Sequence, residues 1–327
     1  MKEYKNILCD IRGGLGKNLA FIRIIPELKQ KYEKVSVISP YWDTFAACPD
    51  CDYVYKPEEA RAAIEDAADD TYIMVDHIYD TNEFIRKEIT YQDAFRHACG
   101  LETKDETKDE GKGGSDAMIN LDVYKAFPAL KQMVENTLKD IKSKGFKRFI
   151  IVQFTGSQSP LVQVPVNKDG TPNWNAVPYN GQNTGLSRHY PLDRAQEFCN
   201  LFLQEHPDTA IVNYNLPNEY DITGTLKYIL PYLCYYELAK SDMCIGMVGI
   251  DSSLPHLISG LVPCTVMWHH SAPPSFSYSY NNNIVTHCNR DSIKYFTALG
   301  KASNRIDYIS PAELLEQVNN TIFKVGE

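Results

Sequence analysis

A short segment near residue 250 combines residue types that bind phosphate groups. An apolar run ends at Val248, and Gly249 and then Asp251-Ser252-Ser253 lead into an apolar helix pattern. Glycine lets a ligand approach the backbone, and the free N–H groups and hydroxyls at a helix start attract anions. The same pattern is typical of an ordinary capped helix that binds nothing. In open α/β sheets ligands bind at the carboxyl ends of strands, so the segment predicts a site for a nucleotide.

A second glycine-rich turn lies near the start of the chain, between an apolar run and an amphipathic helix pattern. It contains Gly13, Gly14 and Gly16, followed by Lys17. A P-loop is excluded, because the residue six places before Lys17 is not glycine and no Ser or Thr follows it. The spacing of a dinucleotide fingerprint, Gly-x-Gly-x-x-Gly, is also absent. The turn is therefore predicted to bring backbone and Lys17 close to a substrate.

Strand and helix patterns alternate along the chain, which is typical of an α/β fold with parallel sheets. A helix pattern over residues 122–144 ends at Gly145, and a buried-strand pattern follows it. We therefore expect an N-terminal Rossmann-like domain over residues 1–145 and a C-terminal one over residues 146–327. The Pro-, Asn- and Gly-rich residues 158–185 predict a long loop that acts as a lid or contacts an acceptor.

Composition limits the functional classes. The chain has 327 residues, 43% of them hydrophobic, and a formal net charge of −9, which argues against general nucleic-acid binding. No apolar run is long enough for a membrane span, although peripheral membrane contact stays open. The first residues do not resemble a signal peptide, and nine scattered cysteines favour reduced thiols. We therefore expect a cytoplasmic protein.

Two short patterns suggest metal binding at first sight. Cys48-Pro-Asp-Cys51 is a CxxC, and Asp50-Cys51-Asp52 is a nominal DxD. A structural zinc ion needs four ligands, and the sequence has no second CxxC. Both patterns are therefore interpreted as a turn, and we expect no metal.

Three blocks of the sequence resemble known glycosyltransferases. The segment Asp251-Ser-Ser-Leu-Pro-His256 resembles the nucleotide-sugar loop of the heptosyltransferase family, with Ser253 where that family has Gly. Arg188-His-Tyr-Pro191 is similar to the family's Lys-x-Trp-Pro entry into a helix. The first glycine turn, with Asn18, is similar to the start of some fucosyltransferases. The blocks follow one another in the family's order.

The resemblance implies the GT-B architecture, in which two Rossmann-like domains face a cleft. It implies transfer of a sugar from a nucleotide diphosphate-sugar to a glycan or other acceptor. The C-terminal domain would hold the donor and the N-terminal domain the acceptor. No cofactor is implied, because the nucleotide-sugar is itself the substrate.

The leaving diphosphate gains negative charge, which a site without metal neutralises with N–H dipoles and cations. We expect this from Ser252, Ser253, Thr155 and Arg188, and we expect Asp251 to accept hydrogen bonds from the donor sugar. His256 either contacts a phosphate or packs its helix. The full set of expected substrate-binding residues is Gly13, Gly14, Gly16, Lys17, Thr155, Gly156, Arg188, Gly249, Asp251, Ser252, Ser253 and His256.

The expected catalytic base is not where the family has it. Heptosyltransferases carry an Asp after a glycine of the N-terminal turn, and here that position is Lys17, which is normally protonated. Asp76 and His77, which follow a predicted strand, are the favoured replacements, and Asp10 is the third candidate. Lys17 would then serve the phosphate or an acidic acceptor. A retaining enzyme, a non-catalytic nucleotide-sugar-binding protein and a nucleotide-sugar epimerase remain alternatives.

Overall fold

A computed structural model describes residues 5–67, 70–75, 78, 82–85, 89–101, 117–156, 189–214, 220–268, 276–285 and 309–323. Within these ranges the chain forms two parallel sheets, each flanked by helices. The central strands of both sheets are apolar and largely buried, as expected of parallel strands covered on both faces, whereas the edge strands are partly exposed.

The first sheet has the described strand order β3-β2-β1-β4, and all its pairs are parallel. Its strands are β1 (Asn6–Asp10), β2 (Lys34–Ile38), β3 (Tyr53–Tyr55) and β4 (Thr71–Met74). The helices around it are α1 (Leu15–Ile22), α2 (Ile25–Lys31), α3 (Trp42–Ala46), α4 (Ala60–Asp66), α5 (Asn82–Ile85) and α6 (Tyr91–Ala98). The amphipathic pattern after the glycine turn is split into α1 and α2, with Pro26 in the first turn of α2, where its missing N–H costs no hydrogen bond.

The expected single helix over residues 122–144 is wrong. The structure has α7 (Val123–Ala126) and α8 (Ala129–Ser143), separated by Phe127 and Pro128. Proline has no N–H to donate and restricts the residue before it, which explains why one helix ends and another begins there. Gly145 follows α8 with a φ of 90°, a left-handed conformation that glycine adopts without strain.

The second sheet has the described strand order β10-β9-β8-β5-β6-β7, again entirely parallel. Its strands are β5 (Arg148–Gln153), β6 (Thr209–Asn213), β7 (Leu226–Lys227), β8 (Cys244–Ile250), β9 (Cys264–Trp268) and β10 (Asn282–Val285). Its helices are α9 (Leu192–Glu205), α10 (Tyr232–Ala239), α11 (Ser253–Ile258) and α12 (Pro311–Ile322). These elements confirm an α/β fold with two Rossmann-like sheets.

One buried apolar cluster spans the two sheets. Leu19 and Phe21 of α1 belong to the same buried cluster as Leu254 and Leu257 of α11. Helix α8 packs on α10 although α8 precedes the second sheet in sequence. The predicted boundary between residues 145 and 146 lies between α8 and β5, and it stays a prediction. Among the described helices, none has both the length and the apolarity needed to cross a bilayer.

Candidate functional site

The structure brings the two glycine-containing segments together where α1 meets α11. A Cβ atom on Gly16 would lie 2.9 Å from Cδ2 of His256 and 3.8 Å from the carbonyl oxygen of Ser252. Only a residue without a side chain permits this approach. Gly13, with a φ of 93°, makes the turn, and Gly14 is the N-cap of α1. The contact joins loops that follow β1 and β8, which belong to different sheets.

The start of α11 is held by Gln153, the last residue of the neighbouring strand β5. The Leu254 N–H donates to Oε1 of Gln153 over 3.2 Å, and Nε2 of Gln153 donates to the Ser252 hydroxyl over 3.0 Å. The backbone donor fixes which amide atom is oxygen, so Ser252 must accept from Gln153. The hydroxyl hydrogen of Ser252 is therefore not donated to Gln153, and within the described part of the chain it can be donated to an anion.

This arrangement differs from the capping expected from sequence. Ser252 is the N-cap of α11, but its side chain makes no capping hydrogen bond within the helix. The N–H of Leu254, which has no partner inside the helix, donates instead to Gln153 at the end of β5. Sequence reasoning missed Gln153, although a polar residue at the end of a buried strand must find hydrogen-bond partners and could have been noticed.

Thr155 and Gly156 follow β5 at the same edge of the sheet and are buried. Gln153 pairs in register with Gly249 of β8, which places the end of β5 beside the Asp251–Ser253 loop. A Cβ on Gly249 would lie 3.4 Å from the Gln153 carbonyl oxygen. Asp251 is 7% exposed. The expected donor-binding residues that the structure describes are thus neighbours.

His256 packs across the contact between the two sheets. Its Nδ1 lies 2.7 Å from the Tyr278 hydroxyl, and its ring centroid is 5.9 Å from that of Tyr91. Only 4% of the residue is exposed. These are packing contacts, and the expected contact of His256 with a phosphate stays a prediction.

Asp10 lies at the carboxyl end of β1 and is almost fully buried. Its Oδ1 accepts from Nε of Arg12 over 2.5 Å and its Oδ2 from Nη2 over 2.9 Å, and the Tyr72 hydroxyl donates to Oδ2 over 3.3 Å. Both carboxylate oxygens of Asp10 are thus already engaged by hydrogen-bond donors. Arg12, whose side chain is 39% exposed, is a cation at this edge that sequence reasoning did not single out.

Lys17 is largely buried in α1, close to the turn. A Cβ on Gly13 would lie 3.2 Å from Cδ of Lys17, so the aliphatic part of this side chain packs against the turn. Asn18 steadies the same turn, because its Nδ2 donates to the Gly14 carbonyl and its Oδ1 accepts from Ser39. Asp76, His77 and Arg188 lie outside the described residues, and their roles stay predictions.

The CxxC and DxD patterns form a turn next to β2. Asp52 accepts from Nζ of Lys29 over 2.7 Å and from the Val35 N–H over 2.8 Å. Burial raises the pKa of the Cys48 thiol to about 12 and that of Cys51 well above its ordinary value. Within the described ranges, no group of three or more His, Cys, Asp and Glu residues is arranged to hold a metal ion.

The fold is that of the GT-B glycosyltransferases, as solved structures show. The glycosyl transferase family 9 protein from Veillonella parvula DSM 2008 superposes with a TM-score of 0.67 at 12% identity, over 99% of each chain. The ADP-heptose lipopolysaccharide heptosyltransferase II of E. coli gives 0.55 at 11% identity, over 98% of this chain and 99% of that one. The iron-containing dodecameric glycosyltransferase TibC from enterotoxigenic E. coli H10407 gives a TM-score of 0.54 at 10% identity. That superposition covers 98% of this chain and 77% of the TibC chain.

These likenesses confirm the heptosyltransferase-like fold expected from three short blocks of sequence. The sequence itself matches no protein-family model and no curated protein. At 9 to 12% identity the structural likeness establishes the fold alone, and the activity follows from the site as a proposal.

Proposed function

We propose that the chain is a glycosyltransferase that moves a sugar from a nucleoside diphosphate-sugar to an acceptor. The observation that carries this proposal is the approach of Gly16 to His256 and Ser252. It joins the N-terminal glycine turn to the Asp251–Ser253 loop, as a site between two Rossmann-like domains requires. The GT-B fold supports the proposal, and E. coli heptosyltransferase II makes ADP-sugars the first donors to test.

In the proposed reaction the bond between the sugar's anomeric carbon and the diphosphate oxygen breaks. The acceptor oxygen forms the new bond, and its proton passes to a base. Charge grows on the leaving diphosphate, so donors fixed in advance lower the barrier. The Ser252 hydroxyl is such a donor, because Gln153 already occupies its oxygen. Thr155, Ser253 and Arg188 are proposed to complete the cradle.

The base is proposed to be Asp76 or His77, which follow β4, the strand next to β1. Asp10 is the weaker candidate, because both of its oxygens accept from Arg12. Lys17 is proposed to bind phosphate or an acidic acceptor. We propose that the reaction needs no divalent metal; TibC, described as iron-containing, makes this a point to measure.

The test is release of free nucleoside diphosphate from a panel of nucleotide-sugars, with and without glycan acceptors. A glycosyltransferase releases the diphosphate faster when an acceptor is present. A binding protein retains the intact donor, and an epimerase changes the sugar without acceptor dependence. Either of these results would contradict the proposal.

A further inference from the structure

A buried arginine, Arg23, lies at the end of α1 within the apolar run Phe21-Ile-Arg-Ile-Ile25. It is 1% exposed, and among the described residues no carboxylate pairs with it. Burying a cation is costly unless other groups replace its hydration. Arg23 therefore needs a structural reason for its position, and its hydrogen bonds supply one.

Arg23 caps the C-terminal end of α11 from the other half of the molecule. Its Nη2 donates to the carbonyl oxygens of His256 over 2.8 Å and Ser259 over 3.2 Å. The last carbonyls of a helix have no partner inside the helix, and they carry its negative partial charge. A guanidinium satisfies both needs at once, since it is cationic and presents several N–H groups in one plane.

The same guanidinium also contacts two further chain segments. Its Nη1 donates to the carbonyl of Ala117 over 3.0 Å and to the hydroxyl of Tyr280 over 2.8 Å. Its Cζ lies 4.1 Å from the ring centroid of Tyr278, whose hydroxyl meets Nδ1 of His256. The Arg23 side chain, at the end of α1, thus links the end of α11 to the 276–280 segment and to Ala117, which precedes α7.

We infer that Arg23 is a positioning residue that holds α11, and with it Ser252, in place against the N-terminal glycine turn. The N-terminal end of α11, at Ser253, lies next to the proposed phosphate site. Movement of the helix therefore displaces the Asp251–Ser253 loop that is proposed to bind the nucleotide-sugar donor. The link to donor binding rests on the proposed function. The link to the position of α11 does not.

The first test needs no ligand. Amide hydrogen exchange is compared for wild type, Arg23→Gln and Arg61→Gln. Arg61→Gln is the control, because the Arg61 side chain is 91% exposed. We expect faster exchange of residues 257–259 in Arg23→Gln, with β6 unchanged. Arg23→Lys retains the positive charge but loses the planar set of N–H donors. Its exchange rate at residues 257–259 should therefore lie between those of wild type and Arg23→Gln. If Arg23→Gln does not fold, Arg23→Lys serves as the test variant. Wild-type protection of residues 257–259 in the folded test variant would overturn the inference.

The second test measures calorimetric affinity for the nucleoside diphosphate that wild type binds best. Arg23→Gln should weaken it by about tenfold or more, because small displacements of a binding loop are costly, and Arg23→Lys should recover part of the loss. Arg61→Gln should bind like wild type. Unchanged affinity together with faster exchange at 257–259 would overturn the link to donor binding. A wild type that binds no nucleotide would instead contradict the proposed function, and hydrogen exchange alone would then decide whether Arg23 holds α11.

Discussion

Gly16 and His256 are in contact across the two halves of the molecule. The distance of 2.9 Å from a Cβ built on Gly16 to Cδ2 of His256 is shorter than such contacts tolerate. His256 has little freedom to move away, because it is buried and its Nδ1 meets Tyr278. The absence of a side chain at residue 16 is thus what lets the turn after β1 meet the loop after β8.

Gly16→Ala should therefore lower the stability of the protein. Overpacking in a filled site costs about 1–3 kcal/mol, which exceeds the gain of about 1 kcal/mol from helix propensity at most sites. The matched variant is Gly14→Ala, since Gly14 has a φ of −75° and nothing within 4 Å of its added Cβ. Thermal unfolding of both variants is the measurement. A melting temperature of Gly16→Ala equal to that of wild type would show that His256 yields without cost.

Gln153→Leu should also destabilise the chain. The substitution leaves the buried N–H of Leu254 without its acceptor, and an unsatisfied buried donor costs about 1–3 kcal/mol. Gln132→Leu is the control, because Gln132 is exposed on α8 and bonds only Asn136 among the described residues. Urea denaturation compares the two. Similar unfolding free energies would mean that α11 does not depend on this contact.

The fold was predictable from sequence where local patterns decide it. The apolar runs of β1, β5 and β8 and the turn at Gly13 were found because strand burial and glycine spacing are visible in the chain itself. The partners of Gln153 and Arg23 were not found, because they depend on which strands and helices become neighbours. Arg23 was nonetheless visible in the sequence as a lone charge among the four apolar residues of the run 21–25. The break at Pro128 was missed because the helical pattern on both sides of it is continuous.

A pH above about 9 should lower the free energy of unfolding of the protein. Burial raises the pKa values of the Cys48, Cys199 and Cys264 thiols to about 12, from an ordinary value of 9.0. The folded state holds these protons more tightly than the unfolded state does. The contribution of these thiols to the free energy of unfolding is therefore complete below about pH 9 and is lost as the pH rises to about 12. The loss is ~1 kcal/mol per thiol for each pH unit.

Urea unfolding at about pH 8 and about pH 10.5 measures this effect. Cys199→Ala should unfold with a shallower pH dependence than wild type, because one of the shifted thiols is gone. A wild-type unfolding free energy that is the same at both pH values would contradict the burial of these groups.

Sugar transfer should persist in excess EDTA. Ser252 and the cations proposed beside it would neutralise the leaving diphosphate, so chelation removes nothing that the reaction needs. The measurement is the initial rate of diphosphate release with EDTA and after dialysis against it. Loss of activity that manganese, magnesium or iron restores would refute metal independence.

The most direct test of the central claim is calorimetric titration of ADP, UDP, GDP, TDP and CMP into wild type and into the double variant Ser252→Glu, Ser253→Glu. Two carboxylates placed at the start of α11 would repel a diphosphate. We predict that wild type binds at least one nucleoside diphosphate at one site per chain. When the ligand concentration is a hundred times Kd, binding should raise the free energy of unfolding by about 2.7 kcal/mol. The folded double variant should show no binding. Wild-type affinity in that variant would contradict the assignment of the site.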